Sequence, residues 1–365
     1  MLSQQEPSPL VLPPPSDPAS PPEVDKEAVK IKDTLIYAKF PKKLEDRYAF
    51  THPIYRFHLT TGEQEKLFAI EREGTYSDRL PAIVHQDKLL VIDSEYMKLT
   101  MFDLSSGERL ELFGAGKTIE PPPLNLIHGL VLDKGSDTFA FYAEGKIYSL
   151  DVGNKEVSVL LEDAILGDTA DIYQREPLTP GFFSSRGDTL YLFTSEGELT
   201  PRPVLHRYSL TKRVVERVEK VHVGNSSHPS QGDFYIISDQ RGHPCPLQRP
   251  PYVLTLYNIQ SESAIEVVRA NNRVPFNIRW TPNNRGFIYE IWTVNPMGDC
   301  AVEDKFLYHR YYNIDSGENS VVTLSDIQRI FQEQGEPFYQ LDDKGELIVN
   351  GEVVDTEVSQ VLAIQ

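Results

Sequence analysis

One pattern recurs six times in this chain and constrains its fold more than any other feature. An alternating apolar strand ends in a short polar turn, and a second strand follows at once. The copies occupy residues 55–63, 99–108, 147–154, 205–212, 254–261 and 308–318. Alternation with period two marks strands that bury one face and wet the other. Gly62, Gly107 and Gly317 stand where a type I turn with a bulge needs a positive φ, which glycine reaches at no steric cost. Each copy reads as a β-hairpin.

The apolar residue before each turn marks the register: Leu59, Leu104, Val152, Leu210, Ile259 and Ile314, at intervals of 45, 48, 58, 49 and 55 residues. Before most hairpins lies a further pair of strands around a polar turn, as from Phe182-Phe183 to Leu190-Tyr191-Leu192, and from Trp280 to Phe287-Ile288-Tyr289. Four-stranded units of this length are the blades of a β-propeller. The chain's 365 residues also exceed what one core usually supports, whereas small cores in series have no such ceiling. The expectation is an all-β, six-bladed β-propeller, becoming seven-bladed if the tail up to Ile364 builds outer strands of its own. Unit one lacks an obvious innermost strand. The spare strands at 338–341 and 347–349 would close the ring by pairing with the strand at 35–38 or its neighbours. One short helix is expected near 325–334, from the capping-box spacing of Ser325 and Gln328, the shared face of Ile327, Ile330 and Phe331, and the stop at Gly335. Its expected place is a lid on the propeller rim.

Residues 1–24 hold 8 of the 27 prolines. Such a composition cannot bury enough apolar surface to offset its ordering entropy, so residues 1–30 are expected to form a disordered tail and 31–365 the propeller domain. A net charge of −18 argues against nucleic acid and anionic membranes as partners. Cys245 and Cys300 are too few for a disulfide framework or a thiolate zinc site. Both fall in second-to-third-strand loops of adjacent units, so a bond between them is the alternative to two free thiols. The first residues lack the basic and apolar regions of a signal peptide, and no stretch approaches the ~18 apolar residues of a membrane span. A cytoplasmic protein is expected, with export the alternative if a leader has been removed.

Over residues 31–350 these units resemble the TolB-like propeller repeats, a group related to WD40-type propellers. That family reads roughly Ser-Pro-Asp-Gly, a buried strand, then a hairpin with Asp and Thr-Gly. The nearest copies here are His228-Pro229-Ser230-Gln231-Gly232-Asp233, Trp280-Thr281-Pro282-Asn283-Asn284 and Ser184-Ser185-Arg186-Gly187-Asp188, none with an intact Ser-Pro-Asp-Gly. The resemblance implies a propeller of the kind that serves protein–protein contact, and such folds host many functions.

Chemistry is sparse. Neither a Gly-x-Ser-x-Gly elbow nor a complete phosphate loop is present; Gly116-Lys117-Thr118 has the wrong spacing, and Pro121-Pro122-Pro123 forbids the helix that should follow. The histidines show no metal-ligand spacing, and the acidic turns at 315–318 and 342–346 offer too few oxygens for Ca²⁺. No catalytic residue, metal or cofactor is expected. Long loops map to one face, at 41–53, 114–126, 162–179, 240–251 and 293–305, and long loops in compact folds are often functional. In or beside them lie the candidate partner-binding residues His128, Arg241, His243, Trp292 and Asp299. The expected function is a non-enzymatic protein-binding scaffold using that loop-rich face. The alternatives are a hydrolase, lactonase or lyase at the channel mouth with His128 or His243 as base, or a sensor of small ligands or sugars.

Overall fold

The computed structural model describes residues 32–365, apart from 45–48, 74–76, 78, 94–97, 115–126, 167–175, 197–201, 223–224, 228–230, 240–251, 272, 299–300 and 343. Among the described residues, seven antiparallel sheets of three or more strands follow one another along the chain, and a further two-stranded sheet pairs Ile165–Leu166 with Glu176–Pro177. Counting strands from the axis outward, blade 1 is Val358–Ile364, Thr34–Lys39, Ala49–His58 and Gln64–Glu73. Blade 2 is Ala82–His85, Lys88–Asp93, Lys98–Asp103 and Arg109–Gly114; blade 3 is His128–Asp133, Thr138–Ala143, Lys146–Asp151 and Glu156–Leu161. Blade 4 is Thr179–Phe183, Thr189–Glu196, Arg202–Ser209 and Val214–His222; blade 5 is Asn225–Ser227, Phe234–Asp239, Tyr252–Asn258 and Ser263–Ala270. Blade 6 is Arg273–Trp280, Gly286–Gly298, Ala301–Asn313 and Asn319–Val322, and blade 7 has three short strands, Tyr339–Leu341, Leu347–Val349 and Glu352–Asp355.

Packing between sheets makes these seven a ring. Each strand presents its two faces to two different neighbours, so successive apolar residues enter different cores. Leu89 and Val91 pack against Ile36 and Ile54 of blade 1, whereas Leu90 and Ile92 pack against Phe139 and Phe141 of blade 3. The same division carries the succession through Tyr142 and Leu190, Phe182 and Tyr235, and Ile236 and Tyr289. Blade 7 then packs Leu347 and Val349 against Leu35 and Tyr37, returning the ring to blade 1. Burying such side chains stabilises by roughly 1.5–3 kcal/mol each.

The repeat marker read from the sequence is a structural one. The backbone N–H groups of Leu59, Leu104, Leu210, Ile259 and Ile314 each donate to a carbonyl preceding the second strand of their own blade, on Asp33, Asp87, Asp188, Asp233 and Arg285. All six hairpin turns need a positive φ. Gly62, Gly107 and Gly317 supply it at +72°, +71° and +70°, while Lys155, Arg213 and Glu262 adopt +60°, +56° and +51°.

Two faces follow from the topology. The turn face carries the connections from first to second and from third to fourth strands. The loop face carries the second-to-third connections and the crossovers between blades.

The favoured count of six gives way to the alternative of seven, because the tail builds a sheet of its own before closing the ring. Closure is made by Val358–Ile364, which pairs antiparallel with Thr34–Lys39, and not by the earlier strands at 338–341 and 347–349. Blade 7 is irregular. Its 342–346 turn lies at the loop face, where the Val358 N–H donates to the Gly345 carbonyl (2.9 Å). Its strands therefore run as the second, third and fourth strands of other blades do.

In chain order, the place of its first strand is taken by helix α1 (Leu324–Glu333). The helix is capped two residues before the expected position. Thr323 is the N-cap, its hydroxyl accepting from the Asp326 N–H, with the Asp326 carboxylate accepting from the Thr323 N–H in return. Instead of lying on the rim, α1 wedges Ile327 and Phe331 against Ile288 of blade 6 and Phe338. Residues 1–31, which hold the expected tail, lie outside the described residues.

Candidate functional site

The blade lacking a first strand leaves space at the axis. A cavity of about 970 Å³ opens at the turn face, between the ends of the first strands of blades 1, 2 and 3 and the segment entering blade 7. Val84, Leu132 and Leu362 contribute apolar wall, Tyr339 an aromatic one, and Lys32, Lys134 and Glu336 charge. Lys32 Nζ is 2.6 Å from Glu336 Oε1, and the Lys32 N–H donates to the Gly335 carbonyl (3.0 Å). The chain thus enters the propeller at the cavity rim. Asp87, also on the wall, is held by Lys88 at 2.8 Å. Burial pushes the Lys134 ammonium pKa down and the charge of Lys32 adds to the effect, against the pull of Glu336. His85 lies edge-on to Phe139, its Nε2 2.9 Å from Asp137 Oδ1 but outside hydrogen-bond alignment.

The opposite side of the same mouth is sealed by Gln231. Its side-chain amide donates to Asp133 Oδ1 and to the Ser184 carbonyl, both at 3.0 Å, and its Oε1 accepts from the Lys134 N–H at 3.0 Å. Its own carbonyl accepts from Asn284 Nδ2 (2.8 Å). One residue of blade 5 thereby ties blades 3, 4 and 6 together. Asp133 also accepts from Ser136 Oγ, and a Cβ on Gly187 would come within 2.7 Å of its carboxylate. This part of the mouth therefore tolerates no larger residue at Gly187, whose φ is +71°.

At the junction of the open and sealed halves lies Arg279, on the first strand of blade 6. Its guanidinium stacks on Phe331, Phe338 and Tyr339, with centroids at 4.8, 4.9 and 4.1 Å, and donates to the Tyr339 carbonyl. Burial pulls its pKa down, and the ring faces supply part of the lost hydration.

The second feature is on blade 6 towards the loop face. The segment 293–305, expected as a loop, is a paired ribbon. Strands Gly286–Gly298 and Ala301–Asn313 pair out to Gly298↔Ala301, with register shifts between Ile291 and Trp292 and between Pro296 and Gly298. The first strand accompanies them only to Arg273↔Thr293, and the fourth covers only 309–312. At the ribbon's base, Trp292 sits edge-on between Phe276 (6.3 Å) and Phe306 (5.8 Å), and its indole N–H donates to Glu290 Oε2 (2.7 Å). Asn277 donates to the same oxygen (2.8 Å), and His309 Nε2 stands 3.7 Å from Oε1. Burial opposes ionisation of Glu290, but His309, Trp292 and Asn277 outweigh it and hold the carboxyl below its usual range.

Of the residues singled out in the sequence, Trp292 is thus placed in a half-buried aromatic cluster. His128 begins the first strand of blade 3 at the loop face, and its side chain is not among those described. Arg241, His243, Asp299, Cys245 and Cys300 lie outside the described residues, as do most of 114–126 and 240–251 and the central part of 162–179. The stretch 41–53 contains the short strand Lys42–Lys43, paired with Thr51 and Phe50, and the start of Ala49–His58. Sequence reasoning missed Glu290, Asn277 and His309 around Trp292, and Gln231, Lys134 and Glu336 at the axis. The residue pattern signals none of these, because each acquires its neighbours from a different blade or strand. Among the described residues, no group of three or more His, Cys, Asp or Glu side chains is placed to hold a metal ion, and no helix is long and apolar enough to cross a membrane.

The ring of sheets and its closing strand define a β-propeller, and the resemblance is to the TolB-like kind. No protein-family profile matches the chain, and no curated protein does. Among solved structures it is similar to TolB from Acinetobacter baumannii, with 12% identity over 89% of this chain and 78% of that one, at a TM-score of 0.39. It is also similar to an oligogalacturonate lyase in complex with manganese (12% identity, 88% and 94% covered, TM-score 0.41). A third likeness is to a chain of the nidogen–laminin complex (10% identity, 80% and 94% covered, TM-score 0.38). These likenesses concern architecture.

Proposed function

We propose that the protein is a non-enzymatic interaction module that binds a protein partner through its loop face. The observation that supports this reading is the blade 6 ribbon. Pairs from Val294↔Asp304 to Gly298↔Ala301 stand beyond the last partner on the first strand, so the ribbon projects as a two-stranded element. A lone two-stranded ribbon is marginal in water, and one carried on a propeller rim is suited to lie against another surface. Trp292 and Phe306 at its base add the aromatic area that anchors interfaces, Phe306 being 38% exposed. Arg241, which lies outside the described residues, is of the residue type enriched at such anchors.

The test is quantitative affinity capture with wild type, Trp292→Ala, Phe306→Ala and Arg241→Ala. Loss of a reproducible partner by about tenfold or more in the aromatic variants is expected, in line with hot-spot costs of roughly 2 kcal/mol. Unchanged recovery in all three would remove this face from consideration.

A further inference from the structure

We propose that residues 26–31 of this chain form the innermost strand of blade 7, running through the turn-face cavity antiparallel to Tyr339–Leu341. The edge that would receive them is free. Tyr339–Leu341 pairs on one side only, with Leu347–Val349. On that side the Phe338 carbonyl accepts from the Asn350 N–H, and the Asp342 N–H donates to the Glu346 carbonyl. Backbone groups alternate sides along an antiparallel strand, so those of Tyr339 and Leu341 turn the other way, towards the axis. Among the described residues they meet only the Arg279 guanidinium, at the Tyr339 carbonyl, which keeps a second lone pair. An edge of this kind is a template for another strand.

The chain itself brings a strand to this edge in the right direction. The Lys32 N–H donates to the Gly335 carbonyl (3.0 Å), and Lys32 and Glu336 both line the cavity. Counting back from that bond in antiparallel register sets Lys30 opposite Pro337, Ala28 opposite Tyr339 and Lys26 opposite Leu341. Tyr339 and Leu341 are the positions whose backbone groups face the axis, so register and free edge agree. Pro337 has no N–H, and pairing asks only for its carbonyl. First strands of the other blades run from the loop face to the turn face, and a segment ending at Lys32 on the turn-face rim runs the same way. Lys26-Glu27-Ala28-Val29-Lys30-Ile31 contains neither glycine nor proline, unlike the proline-rich residues before it, and spans ~20 Å when extended. Val29 and Ile31 alternate with Lys30, and the cavity wall is mixed in the same way, with Val84, Leu132 and Leu362 among His85, Gln86 and Gln365. Residues 1–25 would then leave from the loop face, the face proposed above for partner binding.

Two measurements on the full chain test this strand. Positions 27 and 340 fall opposite one another as a non-hydrogen-bonded pair, whose Cα atoms lie about 4.5 Å apart, within disulfide reach. With both native cysteines replaced (Cys245→Ser, Cys300→Ser), Glu27→Cys plus Gln340→Cys should close a bond within one chain on mild oxidation, read by mass spectrometry of unreduced peptides. Ser16→Cys plus Gln340→Cys should link at least about tenfold less, as a tether without register does. Amide hydrogen exchange of the wild type should be slower by about tenfold or more at 26–31 and Leu341 than at 1–24. Ala28→Pro removes one ladder donor and should release both segments, whereas Val11→Pro should release neither. The proposal is overturned if residues 26–31 exchange as fast as 1–24, or if Ala28→Pro leaves Leu341 as protected as in wild type. It is equally overturned if the 27–340 bond forms only between two chains, which would make the occupant of the edge a second copy.

Discussion

Blades 3 and 4 meet directly, whereas blades 6 and 7 meet through a helix. At the first joint, innermost strands lie so close that a Cβ on Gly129 would fall 2.3 Å from the Pro180 carbonyl oxygen. Ala140, Tyr142 and Leu190 fill the space outside it. At the second joint the strands of blade 7 are three or four residues long and cannot reach across. Ile327 and Phe331 of α1 supply the missing apolar volume, and the Arg279 guanidinium fills the layer nearer the axis. The contrast teaches that a propeller is held together by filled wedges between sheets, and that a helix serves as filler where a strand is absent. It also locates the cavity, because the helix fills the wedge but leaves the axis.

The largest expected effect is at the helical joint. Phe331→Ala should lower unfolding free energy by about 3–5 kcal/mol, as for other buried Phe truncations. A loss below about 1 kcal/mol by urea denaturation would mean that α1 decorates blade 6 without holding blade 7. Next comes the direct joint. Gly129→Ala meets both a φ of +63° and the Pro180 backbone, and should cost about 2–4 kcal/mol. If its melting temperature equals wild type, the two joints are equally permissive and the contrast fails.

The seam between blades 7 and 1 comes third. Asp355 accepts from the Tyr37 hydroxyl (2.7 Å) and Lys39 Nζ (2.8 Å). Burial opposes its ionisation, but the bonds from Lys39, Tyr37 and the Thr356 N–H prevail and place its pKa below the ordinary value of 3.8. A depressed folded-state pKa gives stability that is present above the unfolded value and lost as pH falls through the folded one. Asp355→Asn should therefore cost about 1.5–3 kcal/mol at pH 7, with the gap to wild type closing below about pH 4. A gap independent of pH would assign the effect to packing rather than charge. The smallest effect is expected at Arg285, paired with Asp315 at 3.1 Å on the surface, where Arg285→Ala should change stability by less than about 0.5 kcal/mol.

What the sequence made legible was whatever repeats locally. The six hairpins, their glycine turns and the helix near 325–334 all rest on neighbours within a few residues, and all are present. The seventh blade was only an alternative, because its short strands carry too few alternations to stand out. Lys155, Arg213 and Glu262 occupy the glycine position of their turns with no compositional sign. The ribbon at 293–305 read as a loop because Asn295, Pro296 and Gly298 suggest turns, whereas a ribbon lacking outer neighbours does not suffer from them as a central strand would. At the candidate sites, Trp292 was legible as an aromatic in a region of interest. Gln231 and Lys134 were not, since their role comes from meeting at the axis across 97 residues of chain.

The strand that closes the ring also sets a schedule for biosynthesis. Ser359 on that strand bonds the Ala38 carbonyl 321 positions earlier. At about 5–20 residues per second, the inner edge of the first blade waits on the order of 15–60 s on the ribosome for its partner. Throughout that interval the edge is a template for pairing with other chains, so yield in the cell should depend more on protection of this edge by chaperones than on the stability of the finished ring.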